Sequence, residues 1–252
     1  MSDNIFLQLQ ILSQQEKVSS IVETRKQLNK AVEYYTSTDL NKEQLPMFAK
    51  FRELKLETLK QANVFYTDGT VPEEFSHDSL GLIHGDFPMF ADRFVYPVYD
   101  VKGDVMGFCG YDVESAAKYL DSQNYGYIAK QYSCYGMEKL EEYYNNQELV
   151  IVTEGIVCCL AAREAGVQAL ALLGSQMSPY MHQVLERFGK RVVIFMDSDE
   201  AGTKFRKRLK NTFRCAQSTV AKDLDDSRKV NPEFFEEVKK LKDPFSHSAL
   251  YR

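Results

Sequence analysis

From Leu149 onward, short continuous apolar runs alternate with segments whose apolar residues recur at helical spacing. The continuous runs predict strands, because a strand that is buried on both faces shows no polar alternation. The predicted strands are LVIVTEG, VQALALLG, RVVIFMD and CAQSTVAKD, and the predicted helices between them are IVCCLAAREAG, SPYMHQVLERFG and EAGTKFRKRLKNTF. Such alternation predicts an α/β fold with a mainly parallel sheet that is covered by helices on both sides.

Residues at the ends of these segments support the assignment. Ser178 suits the N-cap of the second helix, because a serine hydroxyl accepts a hydrogen bond from a free backbone amide. Pro179 suits the first helical position, because proline has no amide N–H that would need a partner there. Gly166 and Gly189 follow the first and second helices, where glycine tolerates the left-handed backbone that ends a helix. The sequence therefore predicts both the type and the limits of these helices.

The first half of the chain has a different pattern. Apolar residues recur at helical spacing between Asn4 and Asn63, which predicts helices that pack through one face. The stretch DRFVYPVYDVKGDVMGFCGYDV then predicts two strands around a tight turn at Lys102-Gly103-Asp104. We therefore expect an α+β subdomain before the α/β domain.

Composition narrows the class of protein. The chain has 252 residues, of which 44% are hydrophobic and 27% charged, and this suits one large or two small domains with hydrophobic cores. Its five cysteines include no CxxC pair and its four histidines show no metal-ligand spacing, which argues against a structural zinc site or a disulfide framework. The start lacks a signal-peptide pattern and no long apolar segment follows, so we expect a cytoplasmic protein.

Charge is distributed unevenly along the chain. The formal net charge is −5, yet the segment from Lys190 to Arg214 contains eight Lys or Arg residues and only three acids. Phe205, Leu209 and Phe213 share one face of the predicted helix there, which leaves most of its basic residues outside. Either this surface is simply solvated or it guides a polyanion toward the neighbouring acids.

Acidic residues follow the predicted strands of the second half. Carboxyl ends of parallel strands meet at one edge of a sheet, and ligands bind in the crevice beyond that edge. Clustered carboxylates repel unless a cation lies among them, and oxygen ligands suit Mg²⁺ or Mn²⁺. The alternative interpretation is that these acids only cap the helices that follow them. The acids are Glu154, Asp197, Asp199, Asp223 and Asp225.

In order and spacing, the motifs TEG, LLGS, DSDEAG and KDLDD resemble the Toprim domain of bacterial-type primases, topoisomerases and certain nucleases. The likeness is greatest to DnaG-type primases. Upstream, RFVYPVYDVKGDVMGFCG, AKYLDS and AKQYSCYG are similar to motifs of the same primase core. The matching positions there include Arg93, Pro97, Asp100, Gly103, Gly107, Phe108, Gly110, Lys118, Tyr119, Lys130, Tyr135 and Gly136. The resemblance runs from about Ala31 to Leu241.

Three departures from the family pattern stand out. Cys158 occupies a position where the family usually has an aspartate, and Tyr111 replaces an arginine. The cysteine pattern does not provide the family's zinc-binding module, and the chain stops soon after the core. We therefore expect a primase core without its zinc-binding and helicase-binding domains, as would suit a phage or mobile element.

The resemblance implies an organisation along the chain. We expect a helical extension, a primase-core N-terminal subdomain of helices and mixed strands, a Toprim metal-binding domain and a tail. The expected ranges are 1–30, 31–147, 148–241 and 242–252.

The resemblance also implies a function. It predicts a DNA-directed RNA polymerase that joins ribonucleoside triphosphates into primers on single-stranded DNA with Mg²⁺ or Mn²⁺. Glu154, Asp197 and Asp199 are the expected catalytic residues, and these three with Asp223 and Asp225 are the expected metal ligands. The expected contacts to template or nucleotide are Arg93, Lys118, Tyr119, Lys130, Lys204 and Lys207. A replicative helicase or a separate zinc-bearing protein is the expected partner, in a bacterial or phage-infected cell.

Other functions remain open on the sequence alone. A DxD motif after a strand also begins the phosphatases of the haloacid dehalogenase type, but here it follows the third strand and Ala201 replaces their Thr or Val. A Toprim nuclease would use the same metal site to cleave phosphodiesters. A core weakened by Cys158 and Tyr111 would instead serve as a replisome-binding or single-strand-binding module.

Overall fold

The computed structural model describes residues 2–112, 114–115, 117–122, 133–174 and 176–243, with side chains from residue 19 onward. The chain forms two compact units. The first comprises residues 1–48, 60–98 and 104–129, and the second comprises residues 49–59, 99–103 and 130–252. The domain boundaries expected from the sequence remain a prediction.

The described elements mix helices and strands, as the sequence predicts. The helices are α1 (Ser2–Ser37), α2 (Asp39–Arg52), α3 (Leu56–Gln61), α4 (Leu140–Asn146), α5 (Ile156–Glu164), α6 (Pro179–Glu186), α7 (Glu200–Leu209), α8 (Leu224–Val230) and α9 (Phe234–Lys240). The strands are β1 (Phe65–Thr67), β2 (Ile83–His84), β3 (Phe87–Pro88), β4 (Arg93–Tyr99), β5 (Val105–Tyr111), β6 (Tyr119–Asp121), β7 (Val150–Thr153), β8 (Gln168–Ala171), β9 (Val192–Phe195) and β10 (Arg214–Ala216). No helix among the described residues is long and apolar enough to cross a membrane.

The first unit contains a four-stranded sheet in the order β1-β4-β5-β6, in which β1 pairs antiparallel with β4 and β5 with β6. The predicted turn between β4 and β5 is present, and Gly103 has a φ of +84°, which glycine adopts without a Cβ penalty. Helix α1 buries Leu28, Ala31 and Tyr35 on one face, as its spacing predicts. The Tyr35 ring stacks on Phe65 of β1 with centroids 4.8 Å apart.

The second unit contains the predicted parallel sheet, in the order β10-β9-β7-β8. Val150, Ile151 and Val152 of the central strand β7 have no exposed surface, which explains why this segment is apolar at every position. The strands alternate with α5, α6 and α7, so the α/β class and the element order are confirmed.

The predicted helix ends in this unit are also present. The hydroxyl of Ser178 accepts a hydrogen bond from the Met181 amide, and Pro179 occupies the first turn of α6. Gly166 follows α5 with a φ of +78°, in the left-handed region that the sequence predicts there. Local capping chemistry therefore sets the lengths of the helices that surround the sheet.

Candidate active site

Acidic side chains gather at the carboxyl edge of the parallel sheet. Strands β7 and β9 are parallel neighbours, with Val152 opposite Ile194. Glu154 follows β7 directly, and Asp197 lies two residues after the end of β9. Two of the predicted residues are therefore brought to adjacent strand ends, where open α/β sheets bind ligands.

The loop between β10 and α8 is tied to the Asp-Ser-Asp segment by Ser198. The Ser198 amide donates to the Lys222 carbonyl oxygen at 2.8 Å, and its hydroxyl approaches the same oxygen at 3.0 Å. Asp223 follows Lys222 and begins α8. This backbone link brings Asp223 close enough to Asp197 for their charges to interact, so residues from three segments meet.

Proximity of the carboxylates alters their acidity. Burial raises the pKa of Glu154, and the negative charges of Asp197 and Asp199 raise it further. Burial and the charge of Asp223 likewise raise the pKa of Asp197. The Glu154 Oε2 atom is buried without a hydrogen-bond partner in the part of the chain that the structure describes. The acids therefore repel one another, and a cation among them would relieve the repulsion.

We call Glu154, Asp197, Asp199 and Asp223 the acidic cluster. Lys222 supplies this cluster with a positive charge, since its Nζ lies 3.4 Å from Asp197 Oδ2 and 3.6 Å from Asp199 Oδ2. Burial lowers the pKa of Lys222, but the two aspartates outweigh this effect and raise it overall.

The capping interpretation of the acids is correct for two of them, and it is compatible with a second role. Asp199 accepts a hydrogen bond from the Gly202 amide at 2.9 Å, and Asp223 accepts one from the Asp226 amide at 2.8 Å. The Gly202 contact is the main cause of the lowered pKa of Asp199. In each case Oδ1 makes the cap, so Oδ2 remains to face a cation.

Gly202 fixes the distance between α7 and the end of β9. A Cβ atom at this position would lie 2.1 Å from the Asp197 carbonyl oxygen, which is far inside van der Waals contact. Only glycine permits this close approach of the helix to the backbone that carries Asp197. The glycine of the DxDxAG motif is thus explained by packing.

Asp225 is not brought into the acidic cluster. Its side chain is 1% exposed and lies 2.8 Å from Arg52 Nη2, 2.8 Å from Arg228 Nη2 and 3.1 Å from Lys229 Nζ. Arg228 also donates to the carbonyl oxygens of Glu53 and Arg52, so this group of charges joins α8 to residues 52–53. The Asp225 carboxylate is already neutralised in this arrangement.

Cys158 borders the same edge from the first turn of α5. Burial raises the pKa of its thiol well above the usual range, and the nearby charges of Asp223, Asp225 and Asp197 raise it further. The thiol is therefore protonated at neutral pH, and it contributes no charge where the family usually has a carboxylate.

In the first unit, the predicted contact Arg93 lies in the interior. It is 6% exposed, and its guanidinium donates to the carbonyl oxygens of Ala117 and Lys118 and to the Ser115 hydroxyl, at 3.0, 3.4 and 3.0 Å. Arg93 thus braces the segment that carries Lys118. Tyr111, which replaces the family's arginine, is also buried, with its ring 5.0 Å from that of Tyr119.

The other predicted nucleic-acid contacts divide by exposure. Lys118 and Tyr119 are exposed on the first unit, at the start of β6. Lys204 and Lys207 are exposed on α7 of the second unit, and Lys204 pairs with Glu200 at 2.6 Å. Lys130 lies outside the described residues.

The acidic cluster offers the type of donor atom that a hard divalent cation takes. Its side chains offer only oxygen atoms, one of them the buried and unpartnered Glu154 Oε2. Within the described ranges, no three His, Cys, Asp or Glu side chains converge closely enough to hold a metal ion. The Lys222 ammonium lies within 3.6 Å of both Asp197 and Asp199.

Sequence reasoning missed Lys222, Ser198 and Arg52. Lys222 had a visible signal, because a lysine directly before an acid at a strand end is placed to neutralise that edge of the sheet. Ser198 had a weaker one, as the polar residue between two aspartates. Arg52 had none, since it reaches Asp225 across 173 positions of sequence.

Two family models match the chain. Residues 18–141 match the model described as the DNA primase catalytic core, N-terminal domain, and residues 151–228 match the Toprim-like model. The DNA primase of Helicobacter pylori is 33% identical over 115 residues, which cover 45% of this chain and 21% of that protein. The chain spans about a fifth of the length of the curated relatives it matches.

Solved structures share the fold at low sequence identity. The Aquifex aeolicus primase, with zinc binding and RNA polymerase domains, superposes with a TM-score of 0.75 at 20% identity, over 86% of this chain and 60% of that chain. A DnaG primase catalytic domain bound to ssDNA superposes with a TM-score of 0.71 at 19% identity, over 88% of this chain and 82% of that chain. These likenesses extend across both matched domains.

Proposed function

Because the chain belongs to the family of DnaG-type primase catalytic cores, we propose that it synthesises RNA primers on single-stranded DNA. The related catalytic domain that was solved with ssDNA supports this choice of template. In the reaction, the 3′-hydroxyl of one ribonucleotide attacks the α-phosphate of an incoming triphosphate, and pyrophosphate leaves. The attacking oxygen loses its proton as the new phosphodiester bond forms.

We assign the metal site to the acidic cluster. The proposed ligands of Mg²⁺ or Mn²⁺ are Glu154, Asp197, Asp199 and Asp223. The ion would activate the hydroxyl and would offset the charge on the leaving phosphate. The crowding of carboxylates at two neighbouring strand ends is the observation that carries this assignment. Asp225 is left out because three cations already neutralise it.

Glu154 is our candidate for the group that receives the proton of the attacking hydroxyl. Its raised pKa makes it a better proton acceptor than an ordinary carboxylate, and its Oε2 has no hydrogen bond to break first among the described residues. Asp199 suits ligation better, because its Oδ1 is held by the Gly202 amide and its pKa is lowered. Glu154 would thus serve as a ligand or as the proton acceptor, and Asp199 as a ligand.

We propose that template and nucleotide contact exposed cations on each unit. Lys204 and Lys207 extend from α7, the helix that Asp199 caps, and Lys118 and Tyr119 are exposed on the first unit. Lysines supply phosphate affinity without reading sequence, and a tyrosine ring offers a stacking surface for a base. Lys130 remains a candidate on the sequence resemblance alone.

Initiation requires that a template and two nucleotides be held together, so we propose that a replicative helicase or a separate zinc-bearing protein assists this core. Such a partner would raise the local concentration of template without altering the acidic cluster. We place this activity in the cytoplasm of a bacterial or phage-infected cell, a proposal that follows from the family.

The proposal is tested by labelled ribonucleotide incorporation on single-stranded templates with Mg²⁺, Mn²⁺ or EDTA. We expect short RNA only with a divalent ion, and none from Asp197→Asn, a variant that keeps the shape of the side chain. Circular dichroism verifies that this variant is folded. Undiminished synthesis by folded Asp197→Asn would contradict the metal-site assignment, and cleavage of labelled DNA without synthesis would identify a nuclease instead.

A further inference from the structure

We propose that Lys222 is the resident counter-ion of the acidic cluster, and that a divalent cation must displace its ammonium to bind there. The inference rests on the metal site assigned under the proposed function, but it does not depend on RNA synthesis. It assigns a role to a residue that enters neither the catalytic nor the metal-ligand set.

The geometry places the Lys222 ammonium between two proposed ligands. Its Nζ lies 3.4 Å from Asp197 Oδ2 and 3.6 Å from Asp199 Oδ2, and the latter is the oxygen that the cap of α7 leaves unused. A divalent ion that bound both aspartates would occupy the same space. The ammonium and the metal ion therefore compete.

The backbone of Lys222 is fixed although its side chain is not. Ser198 holds the Lys222 carbonyl through both its amide and its hydroxyl. Ser218 accepts hydrogen bonds from the Val220 and Ala221 amides, both at 3.1 Å, and the buried hydroxyl of Ser227 donates to Ser218. The loop thus holds the Lys222 backbone at a fixed position near Asp197 and Asp199.

The side chain itself is free to leave. It is 60% exposed, and its two contacts to carboxylates are longer than a good charged hydrogen bond. The cations around Asp225 differ, because Arg228 is 16% exposed and is also bonded to backbone carbonyls. Lys222 therefore has the properties of an exchangeable cation, whereas Arg228 has those of a fixed one.

The energetic consequence is modest and measurable. An exposed ammonium that bridges two carboxylates contributes little to stability, so a metal ion has only a weak competitor to displace. Removal of this competitor should tighten divalent binding by about fivefold. The metal-free protein should become less stable at the same time, because the carboxylates lose the charge that offsets their repulsion.

The test titrates Mn²⁺ into nucleotide-free protein and counts free aqueous Mn²⁺ by electron paramagnetic resonance. It compares wild type, Lys222→Met, Lys222→Arg and the control Lys239→Met, which removes a lysine paired with Glu236 on α9 at 2.8 Å. We expect Lys222→Met to bind Mn²⁺ about fivefold more tightly. Lys222→Arg should bind Mn²⁺ as wild type does. Lys239→Met should also keep the wild-type Mn²⁺ affinity, which would show that loss of one positive charge elsewhere has little effect on binding.

Melting temperatures in EDTA give a second readout. Lys222→Met should melt below Lys239→Met without metal, and Mn²⁺ should remove the difference. Unchanged or weaker Mn²⁺ binding by Lys222→Met would overturn the inference. If wild type bound no Mn²⁺, the proposed metal site itself would fail, and the EDTA melting temperatures would still decide whether Lys222 neutralises the cluster.

Discussion

Two groups of charged side chains lie close together in the second unit and have opposite compositions. The acidic cluster has four carboxylates and one paired lysine, which is largely exposed. The group around Asp225 has one buried carboxylate and three cations. Asp223 belongs to the first group and Asp225 to the second, although only one residue separates them.

The comparison teaches that surroundings, and not the motif, decide what an acid can do. Both aspartates belong to the same KDLDD segment, and the sequence predicts both as metal ligands. Asp223 lies among other acids, where a further cation is favourable. Asp225 is buried among cations, where it acts as a structural anchor.

The largest expected effect comes from neutralising the anchor. Asp225→Asn leaves Arg52, Arg228 and Lys229 without their shared carboxylate, and breaking a buried pair typically costs about 3–5 kcal/mol. We therefore expect a large decrease in the free energy of unfolding, measured by urea denaturation in EDTA.

Asp223→Asn is the matched control for this change. Asparagine also caps helices, so the bond to the Asp226 amide can persist, and one repulsive charge is removed. We expect its free energy of unfolding to equal or slightly exceed that of wild type. Equal losses in the two variants would contradict the distinction between the two groups.

A second prediction concerns the packing that presents the acidic cluster. Gly202→Ala places a Cβ atom against the Asp197 carbonyl oxygen, and overpacking of this kind costs roughly 1–3 kcal/mol. We expect weaker Mn²⁺ binding together with lower stability, measured by titration and by urea denaturation. Gly155→Ala is the control, because a Cβ there meets nothing within 4 Å. A fully stable Gly202→Ala protein with normal Mn²⁺ binding would show that this contact does not position Asp197.

The sequence predicts the second unit well because its signals are local. Apolar runs, the Ser178 cap and Gly166 each act within a few residues, and all are present as expected. Charge pairing in three dimensions is not local. Arg52 approaches Asp225 from a distant part of the chain, and Arg93 turns inward to contact residues 115, 117 and 118, so neither role could be inferred from spacing.

A third prediction uses the pH dependence of stability. The folded pKa of Glu154 lies above its ordinary value of 4.5, so the folded protein binds more protons than the unfolded chain in that range. Stability of the metal-free protein should therefore fall as pH rises through the interval above 4.5. Glu154→Gln should fall less steeply in EDTA melts over the same interval. Identical slopes would mean that Glu154 does not experience the cluster's charge.

The smallest effect is expected on the surface of α7, where charges are exposed. Lys207→Glu should weaken single-strand binding and reduce the salt slope by about 0.7 for each lost phosphate contact. Fluorescence anisotropy over a range of salt concentrations measures this slope. Lys240→Glu on α9 is the control for net charge. A slope equal to that of wild type would assign Lys207 to a merely solvated face.

The central claim is that the acidic cluster binds the divalent ion and that Asp225 does not. The most direct measurement is Mn²⁺ binding by wild type, Asp197→Asn and Asp225→Asn, each below its melting temperature with folding verified by circular dichroism. The account predicts that Asp197→Asn loses at least about tenfold in affinity, a change of about 1.4 kcal/mol, while folded Asp225→Asn binds as wild type does. Normal binding by Asp197→Asn together with lost binding by folded Asp225→Asn would contradict it.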